Sequence, residues 1–528
     1  MLGGDMGKAI NQILVVGGGT AGWLTASILA KQLNSKAEGA VQVTLVESPN
    51  IPIVGVGEGT WPTIRTTLES LGIDEGEFMR ECDATFKQGS QFVNWTHTPK
   101  VTASGIEGDS YYHPLSAVFH SSYDFNLAPY WLLGSAGSLP YDQAVATQCH
   151  VCDAGLAPKK ITTPAYDAIQ NYSYHLNANK FAGFLAKHST AKLGIKHIRA
   201  NVTDVNLDNE GYISSVETDS AGTLTADFYV DCSGSRALMI EGALGIPWLK
   251  IDKILFNDTA IAMQVPYESA DTPIATHTIA TAHEAGWTWD IGLHNRRGVG
   301  YVYSSNHTSD ERAEEVLREY AGTMSQGVAI RKIPLNLGYR EKFMHKNCVA
   351  IGMSAAFIEP LEASAIFLVE AGANMLADQF PRSRDALQYV EDKYNTTFRL
   401  RWDKSVDFVK LHYCISKRKD SQYWLDNCQP DSIPDALKKR LAHWESHPPT
   451  KYDFDYAYEP FVLDSYLFVL YGMQFNADIS HNSSSFARSD EAKAKFENVG
   501  QVGKMLTEQL PTHRELVEKV YQFGFSKI

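Results

Sequence analysis

Ile13-Leu14-Val15-Val16-Gly17-Gly18-Gly19-Thr20-Ala21-Gly22 is the stretch on which the fold turns. Four apolar residues of the kind that fill a buried parallel strand run straight into a G-x-G-x-x-G loop. Trp23 to Leu33 follows as a helix with Leu24, Ile28 and Leu29 on one face. A second apolar run, Val41 to Val46, then ends at Glu47. Strand, glycine loop, helix, strand, acid is the order of a dinucleotide-binding unit. Gly17 permits the tight turn, Gly19 lets the backbone approach a pyrophosphate, and Gly22 lets helix and strand sit close. Thr20 and Ala21 open the helix, whose unpaired N–H groups and positive dipole end suit phosphates. Glu47 suits a ribose diol and disfavours a 2′-phosphate, so NADP is not expected here.

Outward from this unit, the bulk properties narrow the class. A chain of 528 residues implies two or more modules. Its apolar and charged fractions, 44% and 20%, are those of a globular protein. A formal charge of -14 argues against a broad nucleic-acid surface. No run approaches the roughly 18 apolar residues of a membrane helix. Met1 to Lys8 lacks a secretory pattern. Seven scattered cysteines read as reduced thiols, and a cytoplasmic protein is expected. Cys149 and Cys152 form a single C-x-x-C beside His150, too few ligands for a metal site.

Two later returns choose between NAD and FAD. Val230-Asp231-Cys232-Ser233-Gly234 and Cys348-Val349-Ala350-Ile351-Gly352 each end an apolar strand in a glycine turn. Asp231 and Gly352 so far along the chain suit the long, extended FAD. Three other segments stand out. Ile53-Val54-Gly55-Val56-Gly57-Glu58-Gly59-Thr60-Trp61-Pro62 is an irregular apolar strap able to lie along a flat cofactor, through Val54 and Gly55. In Gly286-Trp287-Thr288-Trp289-Asp290-Ile291-Gly292, Trp287, Trp289 and Ile291 share one strand face. Phe357 to Val369 carries Glu359 and Glu362 inside an apolar run, with Pro360 suited to a first helical turn. Ser364 and Ala365 there can present backbone N–H groups to a small anion.

Together these segments resemble the FAD-dependent tryptophan halogenase family. The glycine loop and the G-V-G-E strap match. W-x-W-x-I-G carries Gly292 where the family has proline, and P-L-E-A-S-A differs from P-L-E-S-T-G at Ala363 to Ala365. Glu81 to Lys87 resembles the family's catalytic-lysine segment, and Leu411-His412-Tyr413 through Tyr423-Trp424 a later block. The resemblance implies reduced FAD (FADH2) from a separate flavin reductase, O2 and a halide ion, bromide or chloride. The halide would sit near Ser364 and Ala365 and become hypohalous acid. Lys87 would hold and aim that species, and Glu362 would take the ring proton. Leu361 would lie by the flavin, and Trp287, Trp289 and Ile291 would wall the flavin from the substrate. His113, in Tyr111 to Leu115, would stack on a small aromatic substrate such as an indole.

Tyr452 to Phe475 shows no match to the tryptophan-clamping elements, so free tryptophan is not the first-choice substrate. The resemblance implies an internal tunnel from flavin to Lys87; Gly292 is expected to loosen its wall, and P-L-E-A-S-A to shift preference toward bromide. The implied fold is α/β, with a Rossmann-like FAD module of the flavin monooxygenase type. That module draws on residues 9–100, 175–250 and 330–400. A substrate-binding module, with an inserted sheet and a helical C-terminal part, draws on 101–174, 251–329 and 401–528. No nucleic-acid or membrane partner is expected, and a homodimer is compatible with this reading. The rival readings are an FAD-dependent aromatic hydroxylase and a non-catalytic flavin-binding protein.

Overall fold

A computed structural model describes residues 8–50, 57–102, 105–454 and 458–525. The chain divides into two compact units, each assembled from three stretches. The first takes residues 1–82, 176–251 and 336–402, and the second takes 83–175, 252–335 and 403–528. The first boundary thus falls after Cys82 rather than near residue 100. The strand Gly89–Val93 explains this, because it pairs with Ser110–Pro114 and Thr278–Ala282 of the second unit's sheet.

In the first unit a six-stranded sheet runs in the order Lys196–Arg199, Gln42–Glu47, Gln12–Val16, Phe228–Asp231, Cys348–Ala350, Met344–His345. All neighbours are parallel except the final edge pair. The strand Gln12–Val16 lies at the centre, where Ile13 to Val16 are buried against neighbours on both sides. The helix Thr20–Gln32 is hydrophobic nearly all round, with every residue from Gly22 to Ala30 buried. It packs against the helices Ala178–Lys192 and Ala365–Asp378.

The second unit is built on a seven-stranded sheet. Its order is Arg331–Pro334, Thr259–Pro266, Arg296–Tyr303, Gly286–Gly292, Thr278–Ala282, Gly89–Val93, Ser110–Pro114. The helix Asp310–Ala321 covers part of it, setting Ala313, Val316 and Leu317 against Ile261, Met263, Val299 and Tyr301. The amphipathic C-terminal stretches form the helices Ser489–Gln509 and His513–Phe523. Among the described residues no helix is long and apolar enough to cross a membrane, and all seven cysteines are free thiols.

Candidate active site

The glycine loop lines a cavity of about 540 Å³ wholly within the first unit. Each glycine there answers a different contact. Gly17 has a φ of +121°, and a Cβ on it would lie 2.1 Å from the Cys232 carbonyl oxygen. A Cβ on Gly22 would lie 1.8 Å from the Gly17 carbonyl oxygen, so helix and turn touch backbone to backbone. Gly19 is different, because a Cβ there would meet nothing within 4 Å. The fold does not need that glycine; the open groove beside it does. A bare backbone at a helix N-terminus facing an open channel fits a pyrophosphate.

Thr20, Ala21 and Glu47 line the same groove. Glu47 Oε1 accepts from His197 Nε2 at 2.8 Å, and Oε2 accepts from Trp23 Nε1 at 3.3 Å. These bonds hold the carboxylate over Gly18, leaving one lone pair on each oxygen for a ribose. Gly352, at φ +80°, lines the groove and sits against Ala21. Asp231 is placed otherwise. It is fully buried, and its carboxylate accepts from Ser233 N, Ser233 Oγ, Met239 N and Ile240 N. It fixes the turn that brings Cys232, Ser233 and Gly234 to the groove and does not line the groove itself. Val54 and Gly55 lie outside the described residues.

The P-L-E-A-S-A segment turns sharply before the helix Ala365–Asp378. Ala363 adopts a left-handed φ of +51°, and its N–H donates to the Pro360 carbonyl at 3.2 Å. Ser364 occupies the N-cap without a side-chain capping bond, so the first-turn N–H groups keep no side-chain cap. Ala365 and Ile366 of that turn line the groove, whereas Leu361, Glu362 and Ser364 are buried and do not. The strap reaches this segment through Trp61. Its Nε1 donates to the Glu362 carbonyl at 2.8 Å, and its ring stacks on Phe367 at 4.4 Å. Trp61 was not singled out in the sequence, because a lone tryptophan in a glycine-rich loop carries no pattern.

In the second unit Lys87 is 2% exposed, which removes the reading of a solvated surface lysine. It ends the strand Thr85–Lys87 opposite Ser173, with Thr85 opposite His175. Alternation puts these four side chains on one face of the ladder. The Thr85 hydroxyl donates to the Gly292 carbonyl at 2.5 Å, and Phe86 N donates to His513 Nε2 at 3.1 Å. The amphipathic helix His513–Phe523 therefore anchors the lysine strand. Three imidazoles nearby stay neutral. Burial, then the Lys87 charge, hold His175 well below its ordinary value, and burial pushes His277 and His513 down to about 4.

Trp287, Trp289 and Ile291 are all buried on the strand Gly286–Gly292. The Trp289 ring fills the space over Gly300 on the neighbouring strand, where a Cβ would lie 2.1 Å from Cζ2. Trp287 packs with Trp95, which also contacts Phe92, His412, Tyr413 and Trp424. The later sequence block thus belongs to this aromatic cluster. Gly292 does not leave a gap: a Cβ there would lie 2.6 Å from Ile274 Cγ2, so Ile274 takes up the room. His113 is half-buried against Phe408 and Phe468, at 5.7 and 6.2 Å between ring centroids.

A family model described as tryptophan halogenase matches residues 12–488. The chain belongs to the tryptophan halogenase family. The 7-chloro-L-tryptophan 6-halogenase KtzR of Kutzneria sp. (strain 744) is 32% identical, over 96% of this chain and 99% of its own. The solved tryptophan halogenase of Shewanella frigidimarina NCIMB 400 is 43% identical. It superposes with a TM-score of 0.94, covering 99% of this chain and all of its own. Tar14, a tryptophan C-6 flavin-dependent halogenase from taromycin biosynthesis, is 34% identical with a TM-score of 0.88, covering 97% and 99%. The chain is a flavin-dependent halogenating enzyme with the mixed α/β fold of these structures. Membership in this family sets aside the hydroxylase and non-catalytic readings.

Proposed function

We propose that this enzyme uses FADH2 from a separate reductase, O2 and a halide to halogenate an indole-type ring. The observation that carries this reading is a lysine buried to 2% on a strand tied to the W-x-W-x-I-G strand. Burying an amine carries a cost, and a chemical role such as aiming a small electrophile accounts for an amine kept at such a position. FADH2, when bound in the groove, supplies with O2 the oxidising equivalent that converts halide to hypohalous acid. The uncapped N–H groups at Ser364 and Ala365 hold the halide. Lys87 holds the hypohalous acid by a hydrogen bond or as a haloamine. As the ring carbon takes the halogen, the O–X or N–X bond breaks and its electron pair stays on oxygen or nitrogen. Glu362 takes the ring proton. Trp287, Trp289 and Ile291 keep the arene away from the flavin.

A simple indole is put ahead of free tryptophan. Supporting this, Tyr452 and Tyr458, in the stretch that would clamp an amino acid, are 82% and 56% exposed. The left-handed Ala363 supports an altered halide preference, with bromide favoured. A cytoplasmic location and compatibility with a homodimer belong to the same proposal.

The test supplies flavin reductase, NADH, FAD, O2 and bromide, with indole or tryptophan, and follows products by mass spectrometry. Monobromoindole is the expected product. A hydroxylated product without bromine would overturn the reading. Equal turnover with chloride and bromide would overturn the halide preference.

A further inference from the structure

Glu58 belongs to the strap and takes no part in the halide chemistry proposed above. It lines the nucleotide groove. Among the described residues its carboxyl makes no hydrogen bond or ion pair. It is half-buried, and burial pushes it up to about 7. Glu47, the other carboxylate lining this groove, is bonded on both oxygens. An ionised Glu58 would be penalised twice when a nucleotide enters. It would lose its remaining water, and it would share the groove with phosphate charge. A protonated Glu58 avoids both penalties and offers an O–H donor.

We propose that Glu58 is a cofactor-contact residue that binds the flavin nucleotide as a neutral carboxylic acid, so that filling the groove takes up a proton from solvent. The inference rests on the reading of the groove as a flavin site. Other titratable groups face the same space. Cys232 and Tyr394 line it, and burial lifts both well above neutrality. Glu47, Arg199 and Arg236 line it as well, and His197 bonds Glu47. Glu370 is also pushed up to about 7, but it is bonded to Thr63 and Thr67 and does not line the groove. Glu370 is therefore the control.

The experiment is calorimetric titration of the flavin-free full chain with FAD, in two buffers of different ionisation enthalpy. The difference between buffers gives protons taken up per FAD bound. A site titrating near 7 when free and protonated when bound takes up about 0.9 proton at pH 8 and about 0.1 at pH 6. FAD then binds about tenfold more weakly at pH 8 than at pH 6. Glu58→Gln is neutral at every pH and keeps a donor. It is expected to take up no proton and to hold FAD equally at both pH values. Glu370→Gln is expected to keep the wild-type uptake. Absence of FAD binding at any pH would overturn the flavin reading itself. FAD binding by the wild type without uptake at pH 8 would overturn this inference alone and needs no variant. Uptake that persists in Glu58→Gln, or vanishes in Glu370→Gln, would overturn it too.

Discussion

Replacing Gly19 by alanine separates a glycine needed by a ligand from one needed by the fold. Gly19 has φ -75° and ψ -178°, a conformation alanine adopts without strain, and its Cβ would meet nothing within 4 Å. By restricting the unfolded chain, such a change stabilises by about 0.4–1 kcal/mol. In a protein of this size that is a Tm rise of about 1 °C. A methyl group in the path of the pyrophosphate acts as overpacking, costing about 1–3 kcal/mol. That corresponds to FAD binding weakened about 5- to 150-fold. Gly22→Ala is the counterpart. Its Cβ would lie 1.8 Å from the Gly17 carbonyl oxygen, where backbone must move. A loss of about 3 kcal/mol or more in stability is expected. Thermal unfolding and titration of flavin fluorescence read both quantities on the same samples. If Gly19→Ala bound FAD like the wild type, the argument that the open groove requires this glycine would be refuted. If it lost as much stability as Gly22→Ala, the groove would not be open.

Two further outcomes follow from packing and titration. Gly300→Ala places a Cβ 2.1 Å from Trp289 Cζ2, so the indole must move. A loss of about 1–3 kcal/mol in urea unfolding is expected, with a lower yield of halogenated product per NADH; unchanged values for both would contradict the cross-strand contact. Glu370 is pushed by burial from 4.5 up to about 7. Because the folded state holds that proton more tightly, stability is fullest below about 4.5 and falls as pH rises to about 7. Glu370→Gln keeps acceptor and donor toward Thr63 and Thr67 without the charge. Its stability should rise relative to the wild type by about 2–3 kcal/mol between pH 5 and pH 8; a gap constant with pH would contradict this.

The nucleotide unit was legible because its signals are local. Strand, glycine loop, helix and acid follow one another within forty residues, and Gly17, Gly19 and Gly22 each act within that reach. The W-x-W-x-I strand was legible for the same reason, since alternation alone puts its apolar residues on one face. The work of Asp231 was not legible: an acid after a strand looks the same whether it meets a ribose or folds back onto Ser233 and Met239. Gly292 misled because its compensation comes from Ile274, eighteen residues away and on no shared motif. The links from Trp61 to Glu362 and from His513 to Phe86 span 301 and 427 residues. Such pairings leave no periodicity in the sequence. Glu58 was quoted as part of a motif, but its isolation in the groove appears only when the chain is folded.

Lys87, buried in the second unit, is proposed to direct the halogen to the ring. This role is tested by Lys87→Ala, assayed with flavin reductase, NADH, FAD, O2, bromide and indole, with FAD affinity and Tm measured alongside. Monobromoindole is expected to fall at least about 100-fold while FAD affinity stays at the wild-type value. Wild-type yield at the wild-type ring position from Lys87→Ala would contradict it.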